Sequence, residues 1–488
     1  MKLHHIQEPE MEFGKARHIC PRSGIAQHAV YDSRMSERRN SILVGGVGTS
    51  QTLALLDGWL DRCKRVVPAK LNSRQPNLHR EFCGFHIGLG FMSTLISGEN
   101  ITRLIHSSDM REVLDMPTDT QAQWNRCVEA AVEMYYGRIK FLAQNRAMVD
   151  VIVCVLPDEL HDKIATRKRP RGEDSIEPTP EEEEEDAVEV NFRRLLKARA
   201  MHLGKPLQLA RESTLGENPN GSGDQQDDAT RAWNFCTALY YKANKTVPWR
   251  MPPRTTQSDV CFVGVSFYRS RDYKSLHTSL AQIFDELGNG VILRGTPVDV
   301  NKDKFDRRPY MTEEQAYGLL KRALDEYNIA LDTRPARLVI HKSSKFHPEE
   351  MRGFKRILKE SHVRSVDFVT ILDSRLRLLR DGAYPPLRGT HLEIDPANHL
   401  LYTRGSVPFY KTYPGLYIPQ PLEIRIVESE VSPAQICAEI LSLTKMNWNS
   451  TQFDGKYPIT LLCARKVGEI LKYLPPEAEP QISYSFYM

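Results

Sequence analysis

No stretch of this sequence stays apolar for the ~20 residues that a membrane-crossing helix needs. The nearest candidate, FHIGLGFMSTLISG at 85–98, is interrupted by glycine and too short. The first residues, MKLHHIQEPEMEF, are acidic and broken and hold no apolar core, so they do not read as a secretory leader. Cysteine is sparse: nine residues stand singly, with no C-x-x-C pair and no histidines beside them at ligand spacing. That argues against a structural zinc module and predicts reduced, buried thiols in a cytoplasmic protein. No internal repeat is visible. The remaining composition, 41% apolar and 26% charged over 488 residues, is that of a soluble chain with room for roughly two to four domains.

Charge is almost balanced overall, at +4, but unevenly spread. The stretch EDSIEPTPEEEEED at 173–186 holds nine of the 62 acidic side chains and no basic one. The other 53 therefore face 66 lysines and arginines, a net +13. A basic body with one acidic segment suits a polyanion-binding protein, although scattered solvated lysines would give the same count.

Periodicity divides the chain. NSILVGGVG at 40–48 reads as a strand. TLALLDGWLDRCKRVV and QAQWNRCVEAAVEMYYGRIKFLAQN read as helices with one apolar face. AMVDVIVCVLPDEL at 147–160 has the continuous apolar run of a buried parallel strand, ending in a loop at Pro157-Asp158. The segment 166–188, with opposed charge blocks and prolines, reads as a disordered acidic surface loop. A helix follows over 188–204, closed by Gly204, then a short strand in KPLQLARES. Asp227 or Asp228 can cap the next helix, 229–245. The proline-rich TVPWRMPPRTTQ looks like a linker, with a boundary near residue 252. Beyond it, strands VCFVGVSFY, GVILRGT, ARLVIHKS and VDFVTILD alternate with helices at 312–330 and 348–360. Extra strands (HLLYTRGSVPFY, PLEIRIVE) and two closing helices (432–449 and 459–474) complete an α/β pattern around a mixed sheet.

Arg193 and Lys197 lie four residues apart on one helix face, Gln208 on the following strand and Lys242 near the end of the next helix. Three cations and an amide can hold a terminal phosphate through charge-assisted hydrogen bonds. Basic pairs at this spacing are more often a solvated face. The C-terminal ISYSFYM is aromatic and β-prone, so it is expected to tuck into the fold or form an ordinary edge strand.

Several stretches together resemble a short prokaryotic Argonaute. They are EPEMEFG…CPRSGI…VYD at 8–32, VIVCVLPDEL, NFRRLLKARA…LQLAREST, AWNFCTALYYKANKTVPWR, CFVGVSFY, RLVIHKSSKF and LSLTKMNWNS…PITLLCARKVGEIL. The resemblance covers most of the chain in order and is most specific at 188–250 and 440–470. It implies an α/β protein with a PIWI-associated linker segment at 1–140, a Rossmann-like MID domain at 141–252 and an RNase H-like PIWI domain at 253–488. Short members lack the N and PAZ domains. The resemblance assigns Arg193, Lys197, Gln208 and Lys242 to the guide's 5′ phosphate, with Arg193 where long relatives more often carry tyrosine or histidine. It also implies a Mg²⁺ ion between guide phosphates, held with the help of the Met488 carboxylate.

Cleavage in PIWI domains depends on carboxylates that hold two metal ions. The resemblance places the first at Ser266, after the glycine of VGVSFY, the second in HKSSKF near Ser343, and the last near Asn447 or Asn449 in KMNWNS. These side chains cannot supply the required charge. Asp259, Asp367, Asp373 and Asp454 lie off the motif. The expectation is therefore a non-cutting Argonaute that binds a 5′-phosphorylated guide RNA and recognises complementary single-stranded DNA. Its output would come from a partner carrying an APAZ region fused to a TIR, sirtuin-like or nuclease effector, in defence against plasmids or phage. The expected assembly is a heterodimer, with the oligomeric state after target binding left open. The alternatives are a guided nuclease using displaced carboxylates such as Asp367 or Asp373, and a scaffold that binds no guide.

Overall fold

The computed structural model describes residues 1–145, 149–165, 190–221, 225–244, 246–252, 260–271, 275–283, 290–298, 309–382, 385–411, 413, 418–475 and 477–488. The acidic loop expected at 166–188 lies outside the described residues, as does Asp259. No helix among the described residues is long and apolar enough to cross a membrane.

The first of two large sheets runs in the order Leu207–Arg211, Val151–Leu156, Ser41–Gly48, Thr94–Ile96, and Thr102–Leu104 also pairs with Ser41–Gly48. All its pairings are parallel. Every residue of Val151–Leu156 is buried, as a strand covered on both faces must be. Its side chains alternate between two cores. Val151, Val153 and Val155 join Trp59 of helix Ser50–Cys63 and Trp233 of helix Asp228–Ala243. Ile152, Cys154 and Leu156 join the helices Gln121–Asn145 and Phe192–Ala200. Strand pairing thus runs across the division expected at 140/141: Ser41–Gly48 sits in the middle of the sheet because its apolar run fits only a doubly covered position.

The second sheet has nine strands. The chain's first strand, Lys2–His5, is one edge, and next come Thr390–Glu393, Asn398–Leu401, Leu422–Glu428, Ser365–Asp373, Arg337–Lys342, Val260–Arg269, Leu276–Ile283 and Gly290–Val298. The last three form an antiparallel meander, whereas Val260–Arg269, Arg337–Lys342 and Ser365–Asp373 run parallel. Cys261, Val263 and Val265 pack against the helices Glu313–Leu331 and Pro348–Glu360. The opposite face, with Phe262, meets the helices Pro433–Leu443 and Ile459–Leu471. Gly264 allows this second contact: a Cβ there would stand 2.3 Å from the carbonyl oxygen of Thr460.

Two local expectations change, at Pro157-Asp158 and in the linker, and two open alternatives are resolved, at the Asp227 cap and the C-terminus. Pro157-Asp158 starts the helix Asp158–Ile164 instead of a loop, since proline is suited to a helix start. Asp227, not Asp228, caps the next helix by accepting from the Thr230 amide at 3.0 Å. Asp228 is buried against Arg62 and Arg231 instead. The expected linker is packed over its described part: Trp249 is fully buried and donates to the Lys445 carbonyl at 3.0 Å. The C-terminal stretch is a buried turn around Tyr484–Phe486 joined to the sheet by one isolated bridge, from Ser483 to Val291.

Candidate nucleic-acid interface

Helix Phe192–Ala200 begins at Asn191, whose side chain accepts from the Arg194 amide at 3.1 Å. The helix leads through Gly204, at φ 66°, into the parallel strand that carries Gln208. The helix capped by Asp227 returns across the same sheet end and brings Lys242, in its last turn, to Gln208: the Lys242 ammonium donates to the Gln208 amide oxygen. Arg193, Gln208, Lys242 and Met488 all line one cavity of about 700 Å³. Lys197 lies one turn beyond Arg193, only 3% exposed. Its Nζ has no hydrogen-bond partner. Three of the four side chains singled out from the sequence and the C-terminal residue thus meet at the cavity, and Lys197, outside its lining, is buried within electrostatic reach of Arg193 and Lys242.

A fifth group was missed. Lys466, on helix Ile459–Leu471, acts electrostatically on Lys197 and Lys242. A signal was available: Lys466 interrupts the apolar stripe of Ile459, Cys463, Val467 and Ile470, where a cation has no reason to be unless it faces charge.

The cluster carries more positive charge than the protein balances. Burial, then the neighbouring Arg193, Lys242 and Lys466, push the Lys197 ammonium well below its ordinary value. Burial, Arg193 and Lys466 do the same to Lys242. Burial, and secondarily Arg193, lower Lys466. Burial, then Arg194, lowers Arg193, which lines the cavity and is exposed as a whole residue. Among the described residues, no aspartate or glutamate lines the cavity. An array of this kind is poised for an anion, which would restore the charge state of every member. The other end of the cavity is mixed in character, with Trp59, Phe235, Arg211 and Arg231.

The positions expected to hold catalytic carboxylates are partly brought together. Parallel pairing of Val265 with Lys342 sets Ser266 beside Ser343, whose amide lies 3.5 Å from the Val265 carbonyl. Both fall on the sheet face that carries Gly264 and His341, the face covered by Thr460. Asn447 accepts from the Asn449 amide at 3.2 Å in the loop after helix Pro433–Leu443. Asn449 lines the cationic cavity.

The displaced carboxylates are engaged elsewhere. Asp367 is fully buried, accepting from Arg337 Nε and Ser429 Oγ, each at 2.6 Å, and from the Glu430 amide at 3.1 Å. Asp373 pairs with Lys456 at 3.0 Å and accepts from the Tyr457 hydroxyl at 2.8 Å. Asp454 is buried, and burial raises its carboxyl above the usual range.

No protein-family model matches the chain. Among curated proteins it is similar to the protein argonaute of Aquifex aeolicus strain VF5, 24% identical over 234 residues, covering 46% of this chain and 29% of that one. Among solved structures it superposes on Clostridium butyricum Argonaute bound to a guide DNA and a 19-mer target DNA. The TM-score is 0.64 at 14% identity, over 98% of this chain and 54% of that one. It likewise matches Marinitoga piezophila Argonaute in complex with a 5′ OH guide RNA, with a TM-score of 0.56 at 10% identity, over 100% of this chain and 59% of that one. The chain is thus Argonaute-like in fold, and it spans little more than half the length of these Argonautes of known structure and a smaller share of the curated relative.

Proposed function

We propose that this Argonaute-like chain binds a guide RNA by its 5′ phosphate in the cavity between Arg193, Gln208 and Lys242, and uses the guide to recognise complementary single-stranded DNA. The observation that carries the reading is the buried, unpartnered Lys197 ammonium among three further cations, with no acidic side chain among the described residues of the cavity lining. A phosphate would accept from several of these donors at once and remove their mutual repulsion. A hydroxyl end, as on the guide of the Marinitoga complex, would leave the charge uncompensated. Base pairing would supply specificity, and the protein would grip backbone and duplex shape.

The division into a Rossmann-like MID part and an RNase H-like PIWI part is supported by the parallel first sheet. In the second sheet, an antiparallel meander adjoins parallel strands, which supports the PIWI assignment. A Mg²⁺ ion fits only together with the ligand, because the lining is already cationic. Met488, through its carboxylate, is the residue that would hold it, and the ion would neutralise phosphate charge.

The PIWI part is read as non-cutting. Ser266 and Ser343 stand side by side where acids would be needed, and Asp367 is held by Arg337, Ser429 and Glu430. Activity would then belong to an APAZ-containing effector partner of TIR, sirtuin-like or nuclease type, switched on by target recognition in defence against plasmids or phage. The test is the chemistry of nucleic acid that copurifies with the chain. RNA that accepts a labelled 5′ phosphate only after phosphatase treatment is expected; RNA that labels directly, or none at all, would contradict the reading. Incubation of the loaded protein with target DNA and Mg²⁺ or Mn²⁺ should leave the target intact, and metal-dependent cutting abolished by Asp373→Ala would favour the nuclease alternative.

A further inference from the structure

Five lysines are buried among the described residues, and three of them have a carboxylate: Lys342 pairs with Glu350 at 2.6 Å, Lys456 with Asp373 at 3.0 Å, and Lys445 with Glu8. The other two, Lys197 and Lys242, have none among the described residues, and both belong to the cationic cluster. A buried cation without a counter-charge is costly, so such an amine gives up its proton readily. The two nitrogens differ in their surroundings. Lys197 lies outside the cavity lining and its Nζ is enclosed. Lys242 is on the wall of the cavity of about 700 Å³, 5% exposed, and its nitrogen meets a neutral acceptor, the Gln208 amide oxygen.

A desolvated amine beside other cations is free to act as a nucleophile near neutrality. Burial, then Arg193 and Lys466, put Lys242 in that state. What the cavity lining lacks among the described residues is negative charge, and this selects the electrophile. An acyl group or an aldehyde would leave the nitrogen neutral or cationic and add no anion. Carbon dioxide adds one: the Nζ lone pair forms an N–C bond, one C=O electron pair moves onto oxygen, and a nitrogen proton leaves to solvent. The remaining N–H can still donate to Gln208. The new carboxylate would occupy the cavity, with Arg193 in the same lining and Lys197 and Lys466 within electrostatic reach.

We propose that Lys242 is a carbamylation site: without a guide its amine takes up carbon dioxide, and the carbamate supplies the anion that a terminal phosphate otherwise brings, an inference that rests on the reading of the cavity as the seat of that phosphate. Carbamate and phosphate then exclude each other, and carbon dioxide regulates loading. The full chain, freed of nucleic acid and phosphate, is equilibrated with isotope-labelled bicarbonate, treated with triethyloxonium to fix carbamate as its ethyl ester, and mapped by peptide mass. Label on Lys242 above every other lysine is expected, and a 5′-phosphorylated dinucleotide should remove it. Bicarbonate in place of acetate, at equal pH and ionic strength, should weaken dinucleotide binding by about tenfold at full conversion, because a charge-assisted donor is lost. Lys242→Met should carry no label there and show no response to bicarbonate; the label on the parent is decisive whether or not this variant folds. Label absent from Lys242, or equal on surface lysines, would overturn the proposal. Bicarbonate that weakens binding without leaving label would mean an ion held non-covalently, and would overturn it as well. A dinucleotide that neither binds nor displaces label from Lys242 would overturn the cavity reading and leave the carbamate standing.

Discussion

Lys197→Met separates what the cation cluster does for binding from what it costs the fold. Lys197 is 3% exposed, its ammonium has no partner, and three cations act on it. A buried donor left without a bond costs about 1–3 kcal/mol, and more when charged. Replacing buried charge by an apolar side chain of similar volume is often stabilising by about 1–4 kcal/mol. The ligand-free variant should therefore be more stable than the parent by about 1–3 kcal/mol. The same change removes a charge-assisted donor to phosphate worth about 1.5–3 kcal/mol, a loss of roughly 10- to 100-fold in affinity. Several cores make one two-state unfolding energy inappropriate, so the readout is the urea midpoint of the transition that reports on Trp59 and Trp233, with and without a 5′-phosphorylated oligonucleotide. The sign with pH is also set. A folded-state pKa below 10.5 means that the charged form opposes folding at lower pH, and the penalty fades as pH rises towards 10.5. The variant's advantage should shrink over that interval. A ligand-free variant less stable than the parent would refute the account of a frustrated cluster.

Gly264→Ala drives a Cβ to 2.3 Å from the Thr460 oxygen and so displaces the helix that carries Lys466; a loss of at least ~1–3 kcal/mol and weaker oligonucleotide binding are expected, measured by unfolding and titration of one preparation. Lys445 is fully buried, pairs with Glu8 and donates to the carbonyls of Pro9 and Ile19 at 2.6 and 2.9 Å; Lys445→Met should leave Glu8 to Arg388 alone and both carbonyls without this donor, cost about 1–3 kcal/mol, and raise hydrogen exchange first in residues 8–19. Burial pushes His391 down to about 4 and His341 to about 3, so their neutral forms stabilise the fold fully above pH 6.5, and that contribution is lost as pH falls through about 4 and then 3. Unfolding midpoints between pH 7 and 4 should fall, and His391→Gln should flatten the upper part of that decline.

What could be read in the sequence depended on how local its cause was. Helices 121–145 and 348–360 follow from periodicity within one element, and both have those bounds. Strands whose partners are distant were harder. Leu276–Ile283 and Lys2–His5 alternate too weakly to stand out, and only pairing with neighbours makes them strands. The position of Ser41–Gly48 inside the first sheet is a long-range fact of the same kind. In the site, Arg193, Lys197, Gln208 and Lys242 lie within one helix–strand–helix stretch, which the resemblance could pick out although their spacing alone fits a solvated face equally well. Lys466 enters from a helix more than two hundred residues away, and only tertiary packing brings it there. The burial of Trp249, within a stretch that reads as a linker, likewise comes from Lys445 and Trp448, which bond it from a distant loop.

The most direct test is the affinity of the full chain for one RNA carrying either a 5′ phosphate or a 5′ hydroxyl, with Arg193→Ala and Lys242→Ala beside the parent. The account predicts clearly tighter binding of the phosphorylated end, by about tenfold or more, and loss of that preference in both variants. Equal binding of the two ends by the parent would mean that the basic body attracts RNA without reading its terminus, and would contradict the account at its centre.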